Sequence, residues 1–332
     1  MTLQLTGYFD YNFGDDYMMK IIVHHLPEIE FVIEKNEKIS RLLLEEKNVR
    51  IISESEKAKY PVLVVIGSGF MVNSRKALET EIKWFLKKRH PGDFCLGCNI
   101  EPFKNKLSEI LIRHKLNKFR LIVCRDKASF DWLSKNVKSE VRYLPDILFS
   151  FPEEWLKKST KKNALGISVM NIGKDGFNYY KKMAEVADYY IKETGNKVLL
   201  LAFNSGDEDD ITACKTVRDM MDEKTGAEII SHGDKGEITD ACARCRKIIA
   251  TRFHSAVLAL RMGIDMYPII FRKKTAELLS DTGYTGGKSR IENVDVSEIK
   301  KFLLSEKSEF NNSEMFFEEN KYSQLLRDFL IK

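Results

Sequence analysis

The chain has 332 residues, of which 43% are hydrophobic and 31% are charged. This composition is typical of globular proteins and unlike that of disordered chains, and the length indicates about two domains. The formal net charge is only +5, from 54 basic and 49 acidic residues that are interspersed, which argues against nucleic-acid binding.

The chain opens directly on an alternating strand, Leu3 to Phe9, without the basic and apolar regions of a secretory signal. No apolar run approaches the roughly 18 residues that a membrane span needs. We therefore expect a cytoplasmic protein, and peripheral attachment at the inner membrane face is compatible with the same sequence.

In the first half, short apolar runs alternate with stretches of helical spacing, which predicts a doubly wound parallel sheet. The expected strands are Leu3–Phe9, Phe31–Ile33, Val62–Ile66, Phe94–Cys98 and Leu121–Cys124. The expected helices are Asp16–Leu26, Ile39–Leu44, Glu79–Lys88 and Leu107–Leu116.

The segment Ser150 to Lys162 is charged and contains a proline, which is typical of a linker. The alternation of apolar strands and helical stretches begins again after it. The sequence predicts two Rossmann-like α/β domains facing a cleft, residues 1–152 and residues 163–312. Residues 313–332 are expected to form a helix that crosses back to the first domain, the alternative being that it caps its own half. The strands expected in the second half are Leu165–Val169, Val198–Phe203, Ile229–Ser231, Ile248–Ala250 and Met266–Ile270, and its helices include Tyr179–Ile191 and Ile211–Met221.

Ligands of open parallel sheets bind at the carboxyl ends of strands, so the loops there are the first candidates. After the first strand, Asn12 and Gly14 permit a tight turn, and Asp15 or Asp16 is suited to cap the next helix. This loop is either a turn with an N-cap or part of the ligand site, with Asn12 and Asp15 contacting a sugar hydroxyl.

A second glycine turn, Gly67-Ser68-Gly69, follows the strand Val62–Ile66 and lets the backbone approach a ligand closely. It lacks the lysine of a P-loop and the full GxGxxG pattern. Arg125 follows another strand and suits a carboxylate or phosphate. The alternative for Arg125 is a surface arginine paired with Asp126 or a neighbour.

The most informative segment runs from Ile248 to Ile270, where a buried strand leads through Arg252 and His254 into a helix of small residues, Ser255–Met262. If strand-like alternation persists, Arg252 and His254 project to the same side at the helix N-terminus. A fixed cation, an imidazole and the N–H groups of a helix end can together bind an anion and transfer a proton beside it.

Two CxxC pairs, Cys95/Cys98 and Cys242/Cys245, lack histidines at zinc-finger spacing. Zinc or dithiol chemistry is the alternative to buried cysteines in a reducing compartment. We expect no metal site.

The motifs resemble those of the polysaccharide pyruvyl transferases, in family order. The matching pieces are GYFDYNFGDD from residue 7, GSGFM from 67, RDKAS from 125, PDILF from 145 and ATRFHSAVLALRMGIDMYPIIFRKK from 250 to 274. The sequence departs from the family pattern at Asp16, Phe253 and Ser68, where a glutamate, a leucine and a glycine are usual.

The resemblance implies a fold like that of the two-domain (GT-B) glycosyltransferases and the transfer of pyruvate from phosphoenolpyruvate, as a co-substrate without a cofactor, to a carbohydrate acceptor as a cyclic ketal. It implies that His254 moves the proton and that Arg252 helps to hold the donor. Further donor contacts are expected from Arg125, Ser255 and Lys274, and acceptor or cleft contacts from Asn12, Gly14, Asp15, Gly67, Ser68 and Gly69.

Two other functions are compatible with the same residues. One is a glycosyltransferase that uses a sugar nucleotide, which would bind UDP or GDP. The other is a noncatalytic homologue that binds a carbohydrate or a partner enzyme and releases no phosphate.

Overall fold

A computed structural model describes residues 1–53, 56, 59–67, 69–70, 75–86, 92–103, 105–156, 163–233, 237–306 and 320–331. The chain divides into two compact units. The first contains Met1–Phe9, Asp15–Ser150 and Asn320–Lys332, and the second contains Asp10–Gly14 and Phe151–Glu319. The units thus differ from the expected 1–152 and 163–312 chiefly at Asp10–Gly14, which groups with the second unit.

The first unit is a parallel sheet with flanking helices. Its strands are β1 (Thr2–Gly7), β2 (Glu30–Glu34), β3 (Val49–Ile52), β4 (Val62–Val65), β5 (Gly69–Phe70), β6 (Phe94–Ile100), β7 (Leu121–Cys124) and β8 (Glu140–Tyr143). The helices between these strands are α1 (Phe13–His24), α2 (Arg41–Leu44), α3 (Arg75–Leu86), α4 (Lys106–Leu116) and α5 (Lys127–Asn136).

The second unit repeats this architecture. Its strands are β9 (Ala164–Ser168), β10 (Val198–Ala202), β11 (Ala227–Ser231), β12 (Cys245–Ala250), β13 (Asp265–Ile270) and β14 (Ser289–Arg290). Its helices are α6 (Phe177–Thr194), α7 (Asp210–Met220), α8 (Glu237–Arg244), α9 (Phe253–Arg261), α10 (Lys273–Asp281) and α11 (Val296–Leu304).

The last helix, α12 (Lys321–Ile331), belongs to the first unit. The Tyr322 hydroxyl donates to the carbonyl of Pro145 at 2.7 Å, and Arg327 donates to the Glu28 carboxylate at 2.6 Å. The helix was predicted over residues 313–332, of which 313–319 and 332 lie outside the described residues.

The order of the strands identifies the ligand-binding edge of each sheet. The sheets have the orders β3-β2-β1-β4-β6-β7-β8, with β5 paired to β6, and β11-β10-β9-β12-β13-β14, and all recorded strand pairs are parallel. Both follow the Rossmann pattern, in which the chain reverses direction across the sheet beside the first strand and ligands bind outside the carboxyl ends there. The switch points are β1/β4 in the first unit and β9/β12 in the second. The fold confirms the predicted pair of parallel-sheet α/β domains.

Apolar packing explains why these segments form strands and helices. All residues of β7, β9 and β10 are buried, as expected of interior strands covered on both faces. The amphipathic α6 buries Tyr179, Met183, Val186 and Tyr190 against the second sheet's core.

Candidate active site

The strand-to-helix junction at β12/α9 lies at the switch point of the second sheet. β12 ends at Ala250, and Arg252 is the N-cap of α9, with φ −73° and ψ 140°. The expected strand-like alternation through His254 is therefore wrong, because the backbone becomes helical at Phe253. His254 is the second residue of the helix, in its first turn.

His254 packs directly on Gly14. The residue is buried, with 8% of its surface exposed, and its Nε2 atom is shielded from solvent. A Cβ atom at position 14 would lie 1.7 Å from Nδ1 and 1.9 Å from Cε1 of the imidazole. Only glycine fits this close approach, so Gly14 serves the histidine as well as the turn in which it was expected.

The segment Asp10–Gly14 is fixed on the ends of β10 and α7. Asn12 pairs with Asn204 in an antiparallel bridge, and the Phe13 N–H donates to the Phe203 carbonyl at 2.9 Å. The Asn12 side chain accepts from the Gly14 N–H at 3.0 Å, which makes Asn12 the N-cap of α1. Asn12, rather than the expected Asp15 or Asp16, thus caps this helix.

Asp10 strengthens the same attachment, although no sequence pattern pointed to this residue. Its carboxylate is buried and accepts from the Asp207 N–H at 2.8 Å. A Cβ atom at Gly206 would lie 2.0 Å from the Asp10 carbonyl oxygen. Between these contacts, Tyr11 adopts a positive φ of 50°, a conformation that non-glycine residues rarely adopt. The loop is therefore held in a defined and locally strained conformation.

Arg252 is anchored by Asp210, whose side chain is fully buried. Its Nε and Nη2 donate to the two carboxylate oxygens at 2.9 and 2.6 Å, a bidentate pair. The backbone N–H groups of Asn171 and Asn204 donate to the same carboxylate at 2.9 and 3.1 Å. Asp210 thus ties the ends of β9 and β10 to the start of α9.

The charges of this pair follow from burial and attraction. Burial alone would lower the pKa of Arg252, but the attraction of Asp210 and Glu208 outweighs it and the net shift is upward. Burial raises the pKa of Asp210 against the opposing effect of Arg252 and of the two backbone N–H groups. An ion pair alone would lower the pKa of Asp210, so the upward shift reflects its burial. We take both groups as charged at neutral pH, because four N–H groups donate to the carboxylate.

The outer end of the Arg252 guanidinium has a different partner. Nη1 donates to the carboxylate of Glu208, whose side chain is 51% exposed. Arg252 itself retains 15% exposure. Neither Glu208 nor Asp210 was selected from the sequence. Both lie in the polar run Asn204 to Asp210, which follows the carboxyl end of β10, and the other candidate loops were chosen at the carboxyl ends of strands.

Two of the expected donor-binding residues lie in or near the first turn of α9. The Ser255 hydroxyl is buried and donates to the Arg252 carbonyl at 2.6 Å. The Lys274 Nζ lies 5.1 Å from the ring centroid of Phe253, whose ring contacts that of His254 at a centroid distance of 5.2 Å. A second cation therefore lies close to the first turn of α9.

Arg125 has a setting different from the expected one. Its side chain is 2% exposed and donates from Nη1 to Asp146 at 2.8 Å. Nη2 donates to the Gly67 carbonyl at 2.6 Å and to the Asn99 side chain at 3.1 Å. Asp126, the alternative partner, instead caps α5. Because the guanidinium is buried among these acceptors, we assign Arg125 a structural role in the first unit and do not assign it to the donor.

The remaining candidates of the first unit surround this buried arginine. Asp15 accepts from the Gly67 N–H at 3.0 Å, and a Cβ atom at Gly69 would lie 2.4 Å from the side chain of Glu101. Asp15, Gly67 and Gly69 thus belong to the first unit, whereas Asn12 and Gly14 belong to the second. Ser68 lies outside the described residues.

The six cysteines are all buried free thiols. A hydrogen bond with Cys95, together with burial, raises the pKa of Cys98, and burial raises that of Cys245 to about 12. Protonated thiols are poor nucleophiles and poor metal ligands. Among the described residues, no group of His, Cys, Asp and Glu is arranged to hold a metal ion.

The family model of the polysaccharide pyruvyl transferases matches residues 12–270, most of the chain. The chain belongs to the polysaccharide pyruvyl transferase family. The match confirms the resemblance seen in the motifs, and the matched range includes the positions of Gly14 and His254. A search of curated protein sequences found no match to this family member.

Solved structures of low sequence identity share the fold. HepE from Anabaena, in complex with UDP and glucose, has a TM-score of 0.60 at 11% identity, covering 99% of this chain and 98% of that chain. MnaA from S. aureus, solved with UDP, has a TM-score of 0.66 at 9% identity, covering 99% and 95%. The calicheamicin glycosyltransferase CalG4 has a TM-score of 0.52 at 10% identity, covering 100% and 98%. The expected GT-B-like fold is therefore confirmed for this pyruvyl transferase family member.

No helix in the described part of the chain is long and apolar enough to cross a membrane.

Proposed function

We propose that this protein transfers pyruvate from phosphoenolpyruvate to a sugar of a cell-surface polysaccharide or its precursor, forming a cyclic ketal and releasing phosphate. The observation that carries the proposal is His254 at the first turn of α9, in a chain whose residues 12–270 match the family. The acceptor is a carbohydrate, carried on a lipid or a nucleotide in the cytoplasm. The reaction needs phosphoenolpyruvate as a co-substrate and no cofactor or metal.

The chemistry requires one proton transfer to carbon. The methylene carbon of phosphoenolpyruvate gains a proton and becomes a methyl group, which leaves a cationic carbon. One sugar hydroxyl attacks that carbon, the second hydroxyl displaces phosphate, and each hydroxyl loses its proton. One of these two protons balances the proton added to carbon, and phosphate takes the other. His254 supplies or accepts the proton in this scheme, because an imidazole can act as a general acid or a general base.

The anionic groups of the donor need fixed positive charge. The backbone N–H groups of the first turn of α9 carry a partial positive charge. Lys274 lies near this turn, and Arg252, held by Asp210, presents its outer Nη1 atom. These groups suit the carboxylate and phosphate of phosphoenolpyruvate, and they would stabilise negative charge on the leaving phosphate.

Replacing His254 tests the proposal. We expect His254→Gln to lower the rate of phosphate release from phosphoenolpyruvate at least about 100-fold, since general acid–base groups contribute about 10²–10⁴-fold, while donor affinity stays within several-fold. His114→Gln, on the exposed surface of α4, is the matched control and should leave the rate unchanged. The assay measures phosphate release with fractionated cell-envelope glycans as acceptors. Turnover that survives in His254→Gln would contradict the role given to His254.

A further inference from the structure

The two ends of the Arg252 guanidinium are held in different ways. The inner edge, Nε and Nη2, binds Asp210, whose side chain is fully buried. The outer Nη1 binds Glu208, whose side chain is half in solvent. One end is therefore anchored, and the other faces an acidic group at the surface.

The two carboxylates also differ in what else holds them. Asp210 also accepts from the N–H groups of Asn171 and Asn204, which hold it in place. Separating it from Arg252 would leave its buried carboxylate without a counter-charge. Glu208 lies in the loop between β10 and α7, and among the described residues its carboxylate is bound by Arg252. Ion pairs at such exposure contribute only about 0–1 kcal/mol. An incoming anion can therefore replace Glu208 but not Asp210.

A phosphate or carboxylate group is chemically equivalent to the carboxylate of Glu208 at this position. Each of them accepts a hydrogen bond from a guanidinium N–H, as Glu208 does here from Nη1 of Arg252. We propose that Glu208 occupies the anion-binding end of Arg252 in the unliganded protein, and that a phosphate or carboxylate group of the donor displaces it. Glu208 then acts as an internal competitor that lowers anion affinity. The identity of the donor as phosphoenolpyruvate rests on the proposed function, but the competition itself does not.

Removing the charge of Glu208 tests this inference. In Glu208→Gln, a neutral amide of nearly the same size replaces the competing carboxylate, so inorganic phosphate and phosphoenolpyruvate should each bind about 1.5- to fivefold more tightly. Glu193→Gln removes an exposed charge of the same unit at the end of α6 and serves as the matched control. Titration calorimetry of the full-length chain measures both dissociation constants. With substrate, KM for the donor should fall while kcat stays within about twofold.

Each outcome separates this inference from the proposed function. Anion affinity in Glu208→Gln that equals that of Glu193→Gln, or a failure of Glu208→Gln to bind phosphate, would overturn the inference. A third titration with UDP tests the donor: tighter phosphate binding with no preference for phosphoenolpyruvate over UDP would support the competitor role and contradict the pyruvyl donor. If the protein prefers phosphoenolpyruvate to UDP and Glu208→Gln leaves the affinity unchanged, the pyruvyl donor is supported and the competitor role of Glu208 is overturned.

Discussion

At the scale of single residues, the contact between Gly14 and His254 joins two motifs that are 240 positions apart in the chain. The histidine ring fills the space that a side chain at position 14 would occupy. Gly14 therefore supports the position of His254, the proposed proton-transfer group, as well as forming the turn in which it was expected.

A methyl group at this position should be costly. We expect Gly14→Ala to lower the free energy of unfolding by about 1–3 kcal/mol, because the new Cβ atom overlaps the imidazole. Gly233→Ala is the control, since a Cβ atom there would meet nothing closer than 3.5 Å. Urea denaturation measures both.

A double-mutant cycle separates this overlap from a general loss of turn geometry. If the overlap is the cause, His254→Ala should relieve the effect of Gly14→Ala, with a coupling energy of at least about 1 kcal/mol. Additive effects of the two substitutions would contradict the steric explanation.

At the scale of elements, α9 carries the candidate catalytic group at one end and is fixed at both. Arg252 precedes it and binds Asp210, and Arg261 ends it and donates to the Phe151 carbonyl at 2.6 Å. Arg261 also binds Glu153, so both contacts of this arginine are made where the chain enters the second unit. The position of His254 depends on both attachments.

Loss of the second attachment should destabilise the protein. We expect Arg261→Met to lower the free energy of unfolding by about 1–3 kcal/mol, because the buried Phe151 carbonyl loses its charged donor. Arg244→Met, at the exposed end of α8, is the matched control. Chemical denaturation provides the comparison, and a loss in Arg261→Met no larger than that in Arg244→Met would contradict this role.

At the scale of the whole molecule, apolar runs predict the central strands well and the edge strands poorly. Leu121–Cys124 was predicted with the bounds that β7 has, because every residue is buried. The edge strands β3 and β8 were not predicted, since exposed polar residues interrupt them, as in Glu140-Val-Arg-Tyr143. Periodicity records burial, and an edge strand of a parallel sheet is only partly buried.

The part of the site that comes from one continuous segment of the chain was predictable from the sequence. Arg252 and His254 follow a buried strand, and a single sequence shows this. Asp210, Glu208 and Asp10 reach the site through strand order and loop packing, with separations of 42 residues between Asp210 and Arg252 and 197 between Asp10 and Asp207. Arg125 was assigned to the donor because sequence does not reveal that Asp146 and Gly67 enclose it.

The identity of the donor is the claim on which the function depends, and binding tests it without knowledge of the acceptor. Thermal unfolding is followed with millimolar phosphoenolpyruvate, UDP, GDP or phosphate, because a ligand of the folded state raises stability by RT ln(1 + [L]/Kd). We predict a rise in melting temperature that is largest with phosphoenolpyruvate, is lost in Arg252→Ala and persists in the control Arg244→Ala. A rise with UDP or GDP and none with phosphoenolpyruvate would contradict pyruvyl transfer and indicate a sugar-nucleotide enzyme.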